Sequence, residues 1–203
     1  KTPLAIIADE ARIMGEQGNG KSAHTLIQQT DRMQRQIDFH LARARAAAAS
    51  LTPWASTTVA SVLTPVITAM ERLHAGRGLH FDMDLDGDAR VACDPQDLSE
   101  ILANLVDNAA KWARQRVDIR LSHPRPDMLR LVIEDDGPGL PPESWQVVFN
   151  IGERLDEQAP GSGLGLTIVR DLTTLYGGQV HLRRAELGGL AAVLDLPTGP
   201  KLP

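Results

Sequence analysis

The hydrophobic period changes once, near residue 50, and that change divides the 203-residue chain into two kinds of structure. Before it, apolar residues recur every three or four positions, as on one face of a helix. Leu4, Ile7, Ala8, Ala11 and Met14 form a first stripe. Ala23, Leu26, Thr30, Met33, Ile37, Leu41 and Ala44 form a second. Between them Gly18-Asn19-Gly20 reads as a turn. Two amphipathic helices joined this way make an antiparallel hairpin, which buries only one stripe per helix. The expectation is that residues 1–50 pair with a second copy, as a homodimer, into a four-helix bundle.

Leu51-Thr52-Pro53 reads as a linker, because proline disfavours helix in the residue before it. Beyond it, residues 59–74 read as helix, with Pro65 marking a late start or a kink. Residues 79–85 alternate apolar and polar, as a half-buried strand does, and 89–92 read as a short partner strand. A long helix is predicted over 95–113, strands over 117–121 and 129–134, and a helix over 164–175. Strands 179–184 and 190–196 close the chain as a hairpin. Residues 136–161 carry little pattern and much Gly and Pro. Helices on a mixed, mainly antiparallel sheet make an α+β class, an α/β sandwich over residues 51–203.

Charge follows the same division. Residues 1–50 hold seven Lys/Arg against five Asp/Glu, whereas the rest hold 14 against 21, for a total of −5. That balance carries no basic footprint for nucleic acid, so no direct nucleic-acid partner is expected. A single cysteine, Cys93, excludes a disulfide framework and a cysteine-rich zinc site. No apolar run nears the roughly 18 residues of a membrane span, and no leader opens the chain. The expectation is a soluble piece of a longer protein in a reducing compartment.

Three segments carry residue types suited to a nucleotide. On the long helix, Glu100, Asn104, Asn108 and Lys111 are spaced to share one face, while Ile101, Leu102, Leu105, Val106 and Ala109 face the core. Amide oxygens are hard ligands for Mg²⁺, and a lysine one turn on can neutralise phosphate. An ordinary solvated helix face fits the same stripe. Glu134-Asp135-Asp136-Gly137-Pro138-Gly139-Leu140 follows an apolar strand. Asp135 can accept a bond from an exocyclic amine, and Gly137 and Gly139 let a flat ring approach the backbone. A plain Asp-Gly turn is the simpler reading. Gly161-Ser162-Gly163-Leu164-Gly165-Leu166 opens a helix, where backbone N–H groups hold anions. A loop end is its alternative.

In this order the three segments resemble the N, G1 and G2 boxes of the ATP-binding fold shared by histidine kinases, gyrase, Hsp90 and MutL, the Bergerat type. Lys1-Thr2-Pro3-Leu4 resembles the tail of a histidine-kinase H box, His-(Asp/Glu)-Leu-Lys-Thr-Pro-Leu, which opens a dimerising hairpin. Ile133-Glu-Asp-Asp-Gly-Pro-Gly-Leu-Pro141 and Val148-Phe-Asn-Ile-Gly-Glu-Arg-Leu-Asp156 are similar to sensor kinases of the PhoQ type.

The resemblance implies roles for single residues. Asn108 would bind Mg²⁺, supported by Asn104 and Glu100, and Lys111 would meet the phosphates of ATP. Trp112 would lie by the adenine, or else be a core aromatic. Asp135 would read the adenine amine in a pocket shaped by Gly137 and Gly139. Gly161, Gly163 and Gly165 would cradle phosphate, with Ser162, Leu164 and Leu166 in the same box. Phe149 would anchor a lid, and Arg154 would reach the γ-phosphate or remain a surface arginine. The phosphoacceptor histidine would stand three residues before Lys1, and none of the six histidines present replaces it. Thr2 would assist phosphatase activity or simply open the helix. The implied partner is a response-regulator receiver domain. The implied setting is the cytoplasmic part of a bacterial inner-membrane protein whose span lies in other segments. A nucleotide-binding scaffold without transfer activity is the competing function.

Overall fold

The computed structural model describes residues 56–149 and 165–199, together with Ile7, Ala11, Ile13, Met14, Leu26, Gln29, Thr30 and Met33. The chain divides into two compact units, Lys1–Ala44 and Arg45–Pro203. In the first, all eight described positions are helical. Ala11 and Thr30 are buried, while Ile7, Leu26 and Met33 of the two stripes are exposed in the single chain. The Thr30 hydroxyl donates to the Leu26 carbonyl at 2.8 Å, one turn back. The turn at 18–20 lies outside the described residues.

In the second unit, β1 (Thr57–Thr58) leads directly into α1 (Val59–Leu73). β2 (His80–Asp84), β3 (Arg90–Val91) and α2 (Pro95–Trp112) follow. Then come β4 (Arg116–Arg125), β5 (Met128–Asp135), 3-10 turns at Pro142–Ser144 and Val147–Phe149, and α3 (Gly165–Leu175). β6 (Gln179–Arg184) and β7 (Leu190–Pro197) complete the described elements. The main sheet has the order β2-β4-β5-β7-β6. Only the β2–β4 pairing in it is parallel.

Strand alternation decides which face the helices cover. Ile119 pairs with Ile133, Ile133 with Ala192, Leu131 with Leu194 and Leu129 with Leu196, so these residues form apolar rows across the sheet. Helix α2 packs on β4 and β5, α3 packs on β6 and β7, and α1 lies against α2. The sandwich therefore has two layers, with the core between the helices and one sheet face. Ile101, Leu102, Leu105, Val106 and Ala109 of α2 are all buried in it.

Helix α2 is held at both ends. Asp94 caps it, accepting from the N–H groups of Gln96 at 2.8 Å and Asp97 at 3.3 Å, with Pro95 in the first turn. At the other end the Arg77 guanidinium donates to the carbonyls of Ala110 and Ala113 at 2.6 Å each and of Lys111 at 3.2 Å. A cation there satisfies orphan carbonyls and suits the helix dipole. The Tyr176 hydroxyl donates at 2.6 Å to the fully buried Asp97, fastening the chain after α3 to the start of α2.

Two expectations are corrected. Residues 90–91 do not pair with β2. Val91 and Arg90 pair with Thr57 and Thr58 in a separate two-stranded sheet. The Arg90 guanidinium explains the choice, since it donates to Ser56 Oγ, the Ser56 carbonyl and Thr58 Oγ1. Pro65 does not mark a late helix start either, because α1 begins at Val59 and Pro65 sits inside it. Burial of Val59, Leu63, Val66 and Ile67 along one face outweighs the lost backbone donor.

Candidate nucleotide site

Of the α2 stripe, Glu100, Asn104, Asn108 and Lys111 are all partly exposed, in contrast to the buried opposite face. The Asn104 amide donates through Nδ2 to the Glu100 carbonyl at 2.8 Å. Its oxygen points to the start of α3: a Cβ on Gly165 would stand 2.7 Å from Asn104 Oδ1. The described end of the third motif, at Gly165, thus lies against the first. Lys111 is engaged within its own helix, its ammonium paired to Asp107 four residues before it. His74 Nε2 lies 3.5 Å from the other Asp107 oxygen. Trp112, 39% exposed, ends the helix.

The three successive acids 134–136 take three different directions. Strand alternation turns Glu134 to the outer sheet face, where it is fully buried beneath Arg120 and Arg183. The Glu186 N–H also donates to it, at 3.3 Å. Asp135 turns to the helix side and is 2% exposed. Its Oδ1 accepts from the N–H groups of Gly137 at 2.8 Å and Leu190 at 3.4 Å, which leaves Oδ2 outside these bonds. Burial pushes the Asp135 carboxyl up, against the pull of those two donors, and the neighbouring Asp136 and Glu134 add to the rise. Asp136 caps the turn between α2 and β4, accepting from the N–H groups of Arg114, Gln115 and Arg116. Burial opposes its charge, but those donors win and hold it below the usual carboxylate range. Its contribution to stability is therefore present above the ordinary aspartate value and is lost as pH falls through the lowered one.

The glycines bring backbone into close contact. A Cβ on Gly137 would collide with the Trp112 carbonyl and stand 2.7 Å from Asp135 Oδ1. Gly139, at φ +70°, lies where a Cβ would be 3.0 Å from the Gly189 carbonyl oxygen. The buried Phe149 accepts a 3.0 Å bond from the Thr167 hydroxyl, joining the chain before residue 150 to α3. Leu166 is half-buried in the first turn of α3. Thr2, Arg154, Gly161, Ser162, Gly163 and Leu164 lie outside the described residues. A cleft of about 410 Å³, lined by Trp145, Phe149, Arg170, Val180 and Leu182 among others, shares only Phe149 with the predicted set.

Residues 93–200, just over half the chain, match the model of the histidine kinase-, DNA gyrase B- and HSP90-like ATPases. The chain belongs to this ATPase family. Its similar proteins within that family are sensor kinases. It is 35% identical to the sensor protein kinase CarS of Pseudomonas aeruginosa, over 97% of this chain and 44% of CarS. It is 31% identical to the virulence sensor histidine kinase PhoQ of Salmonella typhimurium, over 93% of this chain and 39% of PhoQ. The chain thus spans less than half the length of these curated relatives. A solved structure of the mycobacterial sensor histidine kinase MprB matches with a TM-score of 0.65 at 31% identity, over 71% of this chain and 97% of that one. Among the described residues, no helix of this ATPase-family chain is long and apolar enough to cross a membrane.

Sequence reasoning missed Gly189, the Leu190 N–H, Asp136 as a turn cap, Asp107 as the partner of Lys111, and Arg77. The four-residue spacing of Asp107 and Lys111 was visible in the sequence. The alternation of Leu129, Leu131 and Ile133 also implied that Glu134 and Asp135 face opposite ways. Gly189 falls in the turn of the predicted closing hairpin, but no local pattern marked its approach to Asp135 or the role of Arg77, whose partners lie in distant elements.

Proposed function

We propose that this chain is the ATP-binding and dimerising core of a two-component sensor histidine kinase of the PhoQ type. It takes Mg-ATP, and the γ-phosphate passes to a histidine of the H box to which residues 1–4 would belong, then to an aspartate of a response-regulator receiver domain. The support comes chiefly from one arrangement: segments far apart in sequence converge, with Asn104 against Gly165 and Gly137 against the Trp112 carbonyl.

The donor set suits a magnesium ion shared with phosphates. Among the described residues, no three His, Cys, Asp or Glu side chains cluster as a cage. The partly exposed amides of α2 offer oxygen, which Mg²⁺ prefers while keeping several waters. Asn108 would hold the ion, with Asn104 and Glu100 supporting it. When bound, the ion supplies charge neutralisation to the triphosphate.

The remaining work falls to the chain's own groups. Asp135 Oδ2 accepts the adenine amine, and Trp112 flanks the base. Lys111 exchanges Asp107 for phosphate, which costs little, since a helical pair at this spacing is worth about 0.5 kcal/mol. Backbone N–H groups at Gly161, Gly163 and Gly165 meet phosphate oxygens, with Ser162, Leu164 and Leu166 in the same turn, and Arg154 reaches the γ-phosphate. Phe149 anchors the lid between these segments. The imidazole nitrogen then attacks the γ-phosphorus, the bond to the ADP oxygen breaks, and the acid beside the histidine takes the N–H proton. Such transfer depends mainly on positioning and charge. Residues 1–50 form the hairpin that pairs with a second copy, with Thr2 assisting the phosphatase step, in which water displaces the phosphate from the receiver aspartate. Residues 51–203 are the ATP-binding domain. The longer protein reaches a bacterial inner membrane through other segments, leaving this part in the cytoplasm.

A chain extended upstream to include the histidine tests this with γ-labelled ATP and Mg²⁺. Acid-labile label on that histidine is expected. Nucleotide binding without any label would sink the kinase reading and leave a scaffold.

The raised Asp135 value adds a pH prediction. As pH falls through it, Asp135 gains a proton and holds the amine less well. ATP affinity should drop at a pH above the ordinary aspartate range of about 3.9. Stability from this group moves the other way, because protonation relieves the burial cost. Titrating ATP affinity calorimetrically for the wild type and Asp135→Asn separates this from the nucleotide's own protonation. Parallel pH profiles in the two proteins would refute it.

A further inference from the structure

We infer that Gly189, in the hairpin between β6 and β7, sets the base specificity of this site by leaving, for want of a side chain, the space in which the Asp135 carboxylate keeps one orientation. The inference rests on Asp135 reading the base. Gly189 is a positioning residue and touches no nucleotide itself.

The hairpin lies directly against Asp135. The Gly189 N–H donates to the Asp135 carbonyl at 3.2 Å, and the next N–H, of Leu190, donates to Asp135 Oδ1 at 3.4 Å. A Cβ on Gly189 would collide with Asp135 Oδ1 and stand 2.5 Å from the Asp135 carbonyl oxygen and 2.6 Å from the Gly137 nitrogen. Two of these three neighbours are backbone. The Asp135 carbonyl is held at the end of the β5–β7 register, where Glu134 pairs with Ala191 and Ile133 with Ala192. The carboxylate is the one side chain among the three. A side chain at position 189 therefore has to push the hairpin and the Asp135–Gly137 backbone apart as well as turn Oδ1, which takes Oδ1 off both N–H donors and swings Oδ2 away from the base.

That orientation carries the chemical selection. With Oδ1 occupied by two N–H donors, the group presents an acceptor and no donor to the base. It suits an amine at the purine six-position and repels a carbonyl there. A site built to bond a particular polar group discriminates strongly against an analogue lacking it.

The test compares affinities for ATP and inosine triphosphate, whose six-position is a carbonyl, in the 203-residue chain. The wild type should prefer ATP by about 100-fold or more. Gly189→Ala should bring the two within about threefold, chiefly by losing ATP affinity. Asp135→Ala should do the same, and the double variant should lose little more, because both act through one group. Partial unfolding lowers both affinities alike and leaves the ratio standing. An unchanged ratio in Gly189→Ala, or losses that add in the double variant, overturn the inference. If Gly189→Ala does not fold but the double variant does, the carboxylate clash is supported. If neither folds, the clash lies with backbone and the inference fails. Absence of ATP binding by the wild type would count against the proposed function instead.

Discussion

Asn108→Asp should lower Mg-ATP-dependent histidine phosphorylation by at least about 100-fold while the protein melts at the wild-type temperature. The substitution keeps size and shape but replaces a neutral oxygen donor with an anion beside the triphosphate. It also removes the amide N–H donors. Asn108 lies on the partly exposed face of α2, opposite the residues that fill the core, so the fold has little stake in it. The measurement is labelled-phosphate transfer in the upstream-extended protein, alongside a thermal melt. Undiminished transfer would show that Asn108 does not hold the metal.

Leu102→Ala, on the other side of the same helix, should do the reverse. Leu102 is fully buried. Truncating such a leucine removes transfer energy and leaves a cavity, a loss of about 3 kcal/mol. For a unit of this size that lowers the melting midpoint by about 10 °C. Well below that midpoint, ATP affinity should stay within about threefold of wild type, since no site residue moves. The pair shows how α2 is divided: one face specifies the fold and the other the chemistry. A collapse of affinity at low temperature in Leu102→Ala would mean that the two faces are coupled.

That division was the most legible part of the sequence. The period of 3.6 separates Glu100, Asn104, Asn108 and Lys111 from Ile101, Leu102 and Leu105 without any structure. The α+β class and most elements of the second unit followed from the same periodicities. What sequence does not encode locally is which distant backbone comes close. The approach of Gly165 to Asn104 and of Gly189 to Asp135 depends on helix packing and strand register. The pairing of Arg90 and Val91 with Thr57 and Thr58 depends on an arginine whose partners sit more than thirty residues away. Lys111 was read as a phosphate ligand from its place on the stripe and from the family resemblance. In the structure the nearer acid, Asp107, holds it.

The splitting of Glu134, Asp135 and Asp136 among three environments bears on how this protein can vary over descent. Glu134 answers to Arg120 and Arg183, so a lineage that loses both arginines would strand a buried negative charge. An uncharged residue should then replace Glu134, and the three positions should change together. Asp136 answers only to main-chain donors, which every side-chain substitution at 114–116 short of proline preserves, so those neighbours can drift without it. Inserting or deleting one residue within β5 would exchange the faces of Glu134 and Asp135 at a stroke. Lengths in this strand should accordingly be fixed among kindred chains even where its apolar residues interchange freely.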